Sequence, residues 1–494
     1  MLVVLVLLCC LSKAISGSTE SPLVDLRDVA FKRDDNCLQL RSTWDILWSC
    51  LCTIFACTWV SIHPNSPGLE EKRLRVALRR LELMAWTLLI PEMIIYWALR
   101  QWLGARRIAN FYKDFGWTTT HGHFLQMGGF VLADQTRDLE VITDERFYDL
   151  LDKGIITFPN ITKGQIQALS KGDGLSKTIV IGQTLWFVAQ CVSRAIQGLR
   201  VTELELVTLA FALLNGFMYF LWWDKPLDAE YLIRIYVSSN PTPIVLPAWT
   251  DPRIPTTVLL SEFKVDETTP DRSTFDTPTD GDSNLTVNLI AGVQELGHSP
   301  QLTQNPQCPL DSMVPRDTTP HKLPSSTAQH LREIVGFGWR RLSQMRGTHY
   351  KVPSSAQRVP TFYAVPHRIN VIPASNLVIS IIGVMFGAIH CTGWNLIFPT
   401  RAEKIIWRTA AVLIFAFPIL MVLHASLIMI GGIPRFLSGL RLKGIMVIGE
   451  IFWKCLPIYF FGRMILLVEA FVTLRGLPEE AFLQVEWTRF LPHI

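Results

Sequence analysis

Apolar residues along the chain gather into long runs separated by polar, often proline-bearing connections. The clearest pair is Thr178–Ile196 and Leu204–Trp223. Each is about 20 residues long, the length an α-helix needs to cross a bilayer core at about 1.5 Å rise per residue. The few polar residues between them predict an antiparallel helical hairpin. Trp222 and Trp223 fall where an interfacial aromatic belt belongs, ahead of Asp224, Lys225 and the helix-stopping Pro226. Further apolar runs cover Trp44–Ile62, Met84–Leu103, Ala374–Phe398, Ile406–Ile430 and Ile445–Thr473. The pattern therefore predicts an all-α fold, an integral membrane bundle of about seven transmembrane helices.

The segments between the runs set the organisation. Met1–Ser16 is apolar and followed by small and polar residues, which predicts a signal peptide over 1–17. Its lack of an early positive charge keeps an uncleaved anchor as the alternative. Residues 18–237 read as an N-terminal membrane part with about four spans and a mixed lumenal loop at 104–177. Within that loop Phe111–Asp134 is apolar but broken by glycine, as in a surface or re-entrant segment. Residues 238–330 are rich in Pro, Thr, Ser and Asp, which predicts a long disordered loop. Residues 331–494 form a C-terminal membrane part with about three spans, introduced by an amphipathic basic helix near 328–346.

Charge gives an orientation. Lys72, Arg73, Arg75, Arg79 and Arg80 follow the first span, and the positive-inside rule places them in the cytoplasm. Seven crossings then put the segment ahead of the first span in the lumen and the chain's end in the cytosol. The connection at 431–444 opposes this, because it carries Arg435, Arg441 and Lys443 yet falls on the lumenal side. Two sequons, at Asn160 and Asn284, are candidate glycosylation sites on that side. The expected location is a membrane of the secretory pathway, the endoplasmic reticulum or another endomembrane, with the plasma membrane as a further option.

Composition sharpens the class. Only 18% of residues are charged and 49% are hydrophobic, against about a quarter charged in soluble domains. The net charge of +4 is small and dispersed, which argues against a nucleic-acid partner. Cys50, Cys52, Cys57, Cys191, Cys391 and Cys455 lie in apolar runs and pack as small hydrophobes. Cys37 and Cys308 lie outside the runs, and a bond between them is not favoured. No zinc or redox spacing is present, and no Walker, GxSxG, HExxH or dinucleotide-binding motif, so no cofactor and no metal is expected.

Ionisable residues inside spans are costly, so each is a functional candidate, weighed against helix-to-helix polar ties. Glu92 follows Pro91 near mid-span. A carboxyl buried there can serve as a general acid or can be a packed, hydrogen-bonded residue. Glu205 shares a face with Thr208, Asn215 and Tyr219, opposite Gln183, Gln190 and Arg194 on the preceding span. A structural ion pair or helix-end snorkelling is the stronger reading for Arg194 and Glu205. His390 follows Gly383 and Gly387, whose spacing permits a close helix approach. His424 lies in the next span, and the two histidines read as isolated rather than as a metal pair. His121 and His123 lack an evident third ligand. Glu450 and Lys454 have the order of a helical pair, whereas Arg463 and Glu469 suggest an interior lining.

The stretches SKGDGLSK with TLWFVAQCVSRAIQGLRVTELELVTLAFALLNGFMYFLWWDKPLD, GAIHCTGWNLIFPTRAEKIIWRTA and GRMILLVEAFVTLRGLPEEAFLQVEWTRFLPHI, with RSTWDILWSCLCTIFACTWVSIHPNSPG and the second span, resemble a large family of fungal multi-pass membrane proteins. Most of its members are uncharacterised. The resemblance covers nearly the whole chain, and some relatives lie in biosynthetic clusters for secondary metabolites, often terpenoid or polyketide. It implies a membrane-embedded biosynthetic protein acting on a lipophilic small molecule. On the residues, the catalytic candidates are Glu92, Glu205, His390 and Glu450, performing acid-assisted cyclisation or rearrangement away from water. The alternative is a seven-helix receptor or transporter. The expected partners are the substrate and membrane lipids, and the oligomeric state is open.

Overall fold

A computed structural model describes residues 40–170, 173–229, 231–238, 326–347, 352–353, 355–366, 372–430 and 438–487. The expected signal peptide, Cys37, Cys308, Asn284 and nearly all of the expected disordered loop lie outside the described residues. The chain divides into two units, Met1–Thr256 with Phe337–Ile494, and Thr257–Gly336. In the second, the described residues are the first turns of a helix, α9 (Ser326–Arg346).

The described chain is mostly helical, and six of its helices are long and apolar enough to span a membrane, or up to seven if a bent pair is one span. α1 (Thr43–Phe55) starts at a capping box, in which Ser42 Oγ accepts the Asp45 N–H and the Asp45 carboxylate accepts the Ser42 N–H at 2.8 Å. A π-helical turn, Ala56–Val60, extends it. The antiparallel hairpin comprises α7 (Asp173–Ile196) and α8 (Glu203–Leu221). The C-terminal trio is α10 (Ile372–Thr392), α11 (Arg401–Ile430) and α12 (Ser438–Val472). Large apolar side chains such as Leu185, Ile405, Leu423, Ile458 and Phe461 point outward, as on helices apolar all round.

The expected span Met84–Leu103 is not one helix. α2 (Arg73–Leu89) and α3 (Pro91–Phe111) meet at a bend of 114°. Pro91 takes the first position of α3, where its missing N–H has no intrahelical partner to lose. It also pushes Ile90 out of the helical region, to φ −144° and ψ 66°.

The expected loop at 104–177 contains a small folded unit with strands, a departure from an all-helical chain. α4 (Thr119–Gln126), β1 (Phe130–Ala133), β2 (Asp138–Val141), α5 (Asp144–Asp152) and α6 (Lys163–Ala168) follow one another. β3 (Ile233–Tyr236) returns after α8 and completes a sheet in the order β2-β1-β3, antiparallel then parallel. Tyr112, Trp117, Phe124, Phe130 and Phe147 form its aromatic core. Phe111–Asp134 thus belongs to this core. α4 sits hard against α3, since a Cβ on Gly122 would lie 2.2 Å from Ala105 O.

α10 and α11 also approach to backbone contact. A Cβ on Gly387 would lie 2.6 Å from Phe415 Cα, and one on Gly383 would lie 3.0 Å from Pro418. This is the close approach that the Gly383/Gly387 spacing suggests.

Candidate functional site

The bend between α2 and α3 places Glu92 in the first turn of α3, turned into the bundle. Its carboxylate accepts from Arg463 Nη1 on both oxygens, at 2.5 Å each, and from Tyr459 Oη at 2.8 Å. Tyr459 and Arg463 lie four residues apart on α12 and so share one face. All three are buried. The guanidinium also lies on aromatic faces, 3.7 Å from the Phe386 centroid and 5.9 Å from that of Phe211. A Cβ on Gly383 would lie 3.7 Å from Glu92 Cγ, an ordinary contact, so this glycine sits beside the carboxylate arm.

His390 joins the same cluster from α10. Its ring is 4.5 Å from Phe386 and 6.2 Å from Trp407, and its Nδ1 lies 2.9 Å from Phe386 O. A carbonyl only accepts, so Nδ1 carries the proton in that bond. Two buried donors here have no acceptor, Arg463 Nη2 and Trp407 Nε1. Buried donors are almost always paired, so Arg463 Nη2, beside Glu92, marks a place where an oxygen acceptor would be stabilised, while Trp407 Nε1 lies toward Gly393.

The other sequence candidates lie elsewhere. Glu205 caps α8 by accepting from Thr202 N at 2.9 Å, and it is ion-paired with Arg41, whose Nη2 lies 3.1 Å away. Arg194 does not bond Glu205. It donates to Arg200 O and Leu483 O, both at 2.6 Å at the nearest, and to Ala481 O at 3.1 Å. Glu450 is in α12, and its side chain lies outside the described set. His121 is part of a cap, with Nδ1 3.1 Å from Thr118 N and Nε2 2.9 Å from Ile161 O. His424 packs on Phe452, apart from the Phe386 cluster. Among the described residues no group of three or more His, Cys, Asp or Glu could hold a metal ion. Asn160 is exposed, and Thr162 of its sequon caps α6.

A second buried polar centre went unforeseen in the sequence. Lys225, expected at an interface, has no exposure. Its ammonium donates to His63 O at 2.5 Å, Gln101 Oε1 at 2.9 Å and Asn65 Oδ1 at 3.3 Å. It also lies 4.9 Å from the Trp97 ring centroid and 5.1 Å from that of Trp222. Three acceptors use all three N–H bonds of an ammonium, so this amine is held as a structural cation rather than as a free nucleophile. Burial nonetheless pushes its pKa well below the usual lysine range. Burial likewise pushes His63 and His123 well below the usual imidazole range, with the Lys225 charge adding to it. The signal was present in the sequence as the breaks HPNSPG and WWDKPLD, which converge here. Gln101 links the two centres, since it lies nine residues beyond Glu92 on α3, about 13 Å at 1.5 Å per residue.

A model of a family of unknown function (DUF8562) matches residues 107–242 and 367–494, and the chain belongs to that family. The matched segments contain His123, Trp222, Lys225, Phe386, His390, Tyr459 and Arg463, whereas Glu92 lies outside them. No curated protein and no solved structure matches the chain.

Proposed function

We propose that this member of the family is a multi-pass membrane protein that binds and transforms a lipophilic small molecule at the Glu92–Tyr459–Arg463 cluster. The observation that carries the reading is Arg463, which is 5% exposed and keeps one terminal nitrogen without an acceptor beside a buried carboxylate. A carbonyl or hydroxyl oxygen of the substrate would accept from that nitrogen and be polarised by it. Phe386 and Phe211 would supply the apolar wall. The Tyr459–Glu92 hydrogen bond would hold the proton that the reaction moves. An intramembrane setting favours cyclisation or rearrangement, because water that would quench an electron-poor intermediate is excluded. The pathway best suited is secondary-metabolite biosynthesis, terpenoid or polyketide.

A small-molecule receptor or transporter is the second reading. Pro418 packs against Gly383 and Pro457 precedes Tyr459 by half a turn, and proline-interrupted helices are a common place for movement. Metabolite profiling of cells with and without the gene separates the two. A precursor that accumulates in the deletion and is converted by membranes carrying the protein would support the enzyme. An unchanged set of metabolite structures with altered distribution would support transport instead.

A further inference from the structure

Two ends of the membrane bundle can be told apart by contacts. At the first end, Leu40 pairs with Leu483, and Arg41 Nε donates to Ala481 O at 2.8 Å. Arg41 also pairs with Glu205 in the first turn of α8, and Arg194 near the end of α7 reaches Leu483 O. Glu403 in the first turn of α11 pairs with Arg475 beyond α12. So the starts of α1, α8 and α11 and the ends of α7 and α12 share this face.

At the other end, Lys225 beyond α8 donates to His63 O beyond α1, and Ser170 ahead of α7 donates to Leu227 O. Arg80 on α2 donates to Trp59 O and pairs with Asp228. Gln101 on α3 donates to Asn65 Oδ1, and Gln126 on α4 donates to Gln101 O. Both α2 and the second half of α3 are therefore tied to this second face. Between them the chain reaches Glu92, which meets Arg463 inside α12.

We infer that α2 and α3 form a re-entrant hairpin that enters and leaves the bilayer on one face, with Glu92 at its apex, so that the chain crosses six times and Leu40 and Leu483 share a face. A bend of 114°, past a right angle, turns α3 back along the direction from which α2 came. An even number of crossings is also what the Leu40–Leu483 pairing requires. The seven-crossing arrangement leaves Arg435, Arg441 and Lys443 opposite the Lys72–Arg80 cluster. Six crossings bring both basic segments to the second face, which the positive-inside rule assigns to the cytoplasm. Asn160 belongs to that face through the His121–Ile161 contact of the folded unit. Its sequon is then on the side away from the glycosylation machinery. The Glu92 site is thus carried into the membrane by a cytoplasmic hairpin.

Three epitope tags test this in the full chain, read by antibody access before and after selective permeabilisation. One is inserted between residues 35 and 36, one follows Ile494, and one is placed at Gln135 in the exposed β1–β2 turn. The expected result is all-or-none: the first two tags are protected together, and the third is accessible from the cytoplasm. Tags at 35 and 494 on opposite faces would overturn the hairpin, as would all three on one face. Glycosidase treatment of wild type and Asn160→Gln is expected to leave no mobility difference at that position, and a shift would overturn the cytoplasmic assignment.

Discussion

The buried pair between Glu92 and Arg463 can be tested by a double-mutant cycle. Arg463→Met leaves the buried Glu92 carboxylate with Tyr459 but without its cation, and Glu92→Met leaves the guanidinium without its anion. Breaking a buried pair from one side costs about 3–5 kcal/mol, because the remaining charge stays desolvated. Replacing both partners removes both charges, and such replacements are often neutral or stabilising. The double variant Glu92→Met/Arg463→Met should therefore be far more stable than the sum of the singles, with a coupling of about 6–10 kcal/mol when the double change is neutral. At about 2.1 cal/mol/K of unfolding entropy per residue, a chain of 494 residues shifts in Tm by about 1 °C per kcal/mol. Each single change should then lower Tm by about 3–5 °C in lipid nanodiscs, read by tryptophan fluorescence. Additive losses in the double variant would refute the view that the two side chains form one electrostatic unit.

Stability should fall as the medium is acidified below about pH 6.5, the ordinary imidazole value. Burial holds His63 and His123 neutral in the fold, so below that pH the unfolded chain binds protons that the folded chain does not. Each contributes a slope of up to about 1.4 kcal/mol per pH unit, and His123→Gln should reduce the drop between pH 7.5 and pH 5. Lys225→Met should impair folding, since His63 O loses its donor at about 1–3 kcal/mol, while Asn65 Oδ1 and Gln101 Oε1 keep those from Gln101 Nε2 and Trp222 Nε1. Asp224→Ala should cost under about 1 kcal/mol, because its pair with Lys163 at 3.0 Å is partly exposed; equal protein yields from the two variants would contradict this. Gly387→Val should destabilise by about 1–3 kcal/mol through overpacking against Phe415. Gly182→Ala, which meets nothing within 4 Å, should be neutral or stabilise by about 0.5–1 kcal/mol, and chemical-denaturation midpoints would show the order.

The helices were legible because apolar length is written directly in the residues, and α7, α8, α10, α11 and α12 each follow such a run. The bend at Ile90 was less so, since Pro91 alone is compatible with a kinked span and only contacts from Arg80 and Gln101 show where each arm goes. The strands β1–β3 are four residues each, too short for an alternation to stand out. Their pairing also depends on β3, about 100 residues away in sequence. Among the site residues, Glu92 was visible as a charge in an apolar run and Arg463 as a charge on the last one, whereas Tyr459 carried no signal of its own. Their meeting was not, because nothing in a sequence fixes which faces of α3 and α12 turn toward each other. Lys225 misled for a physical reason. Lysine beside tryptophan at a helix end usually reaches headgroups, and only three converging acceptors can draw it inward.

The most direct measurement is conversion of the accumulated precursor by membranes carrying wild type, Glu92→Gln or Glu205→Gln at matched protein abundance. Glu92→Gln is expected to lose conversion, whereas Glu205→Gln, away from the Arg463 cluster, is expected to retain it. Equal conversion by wild type and Glu92→Gln would contradict the claim that the Glu92–Tyr459–Arg463 cluster is where this protein acts.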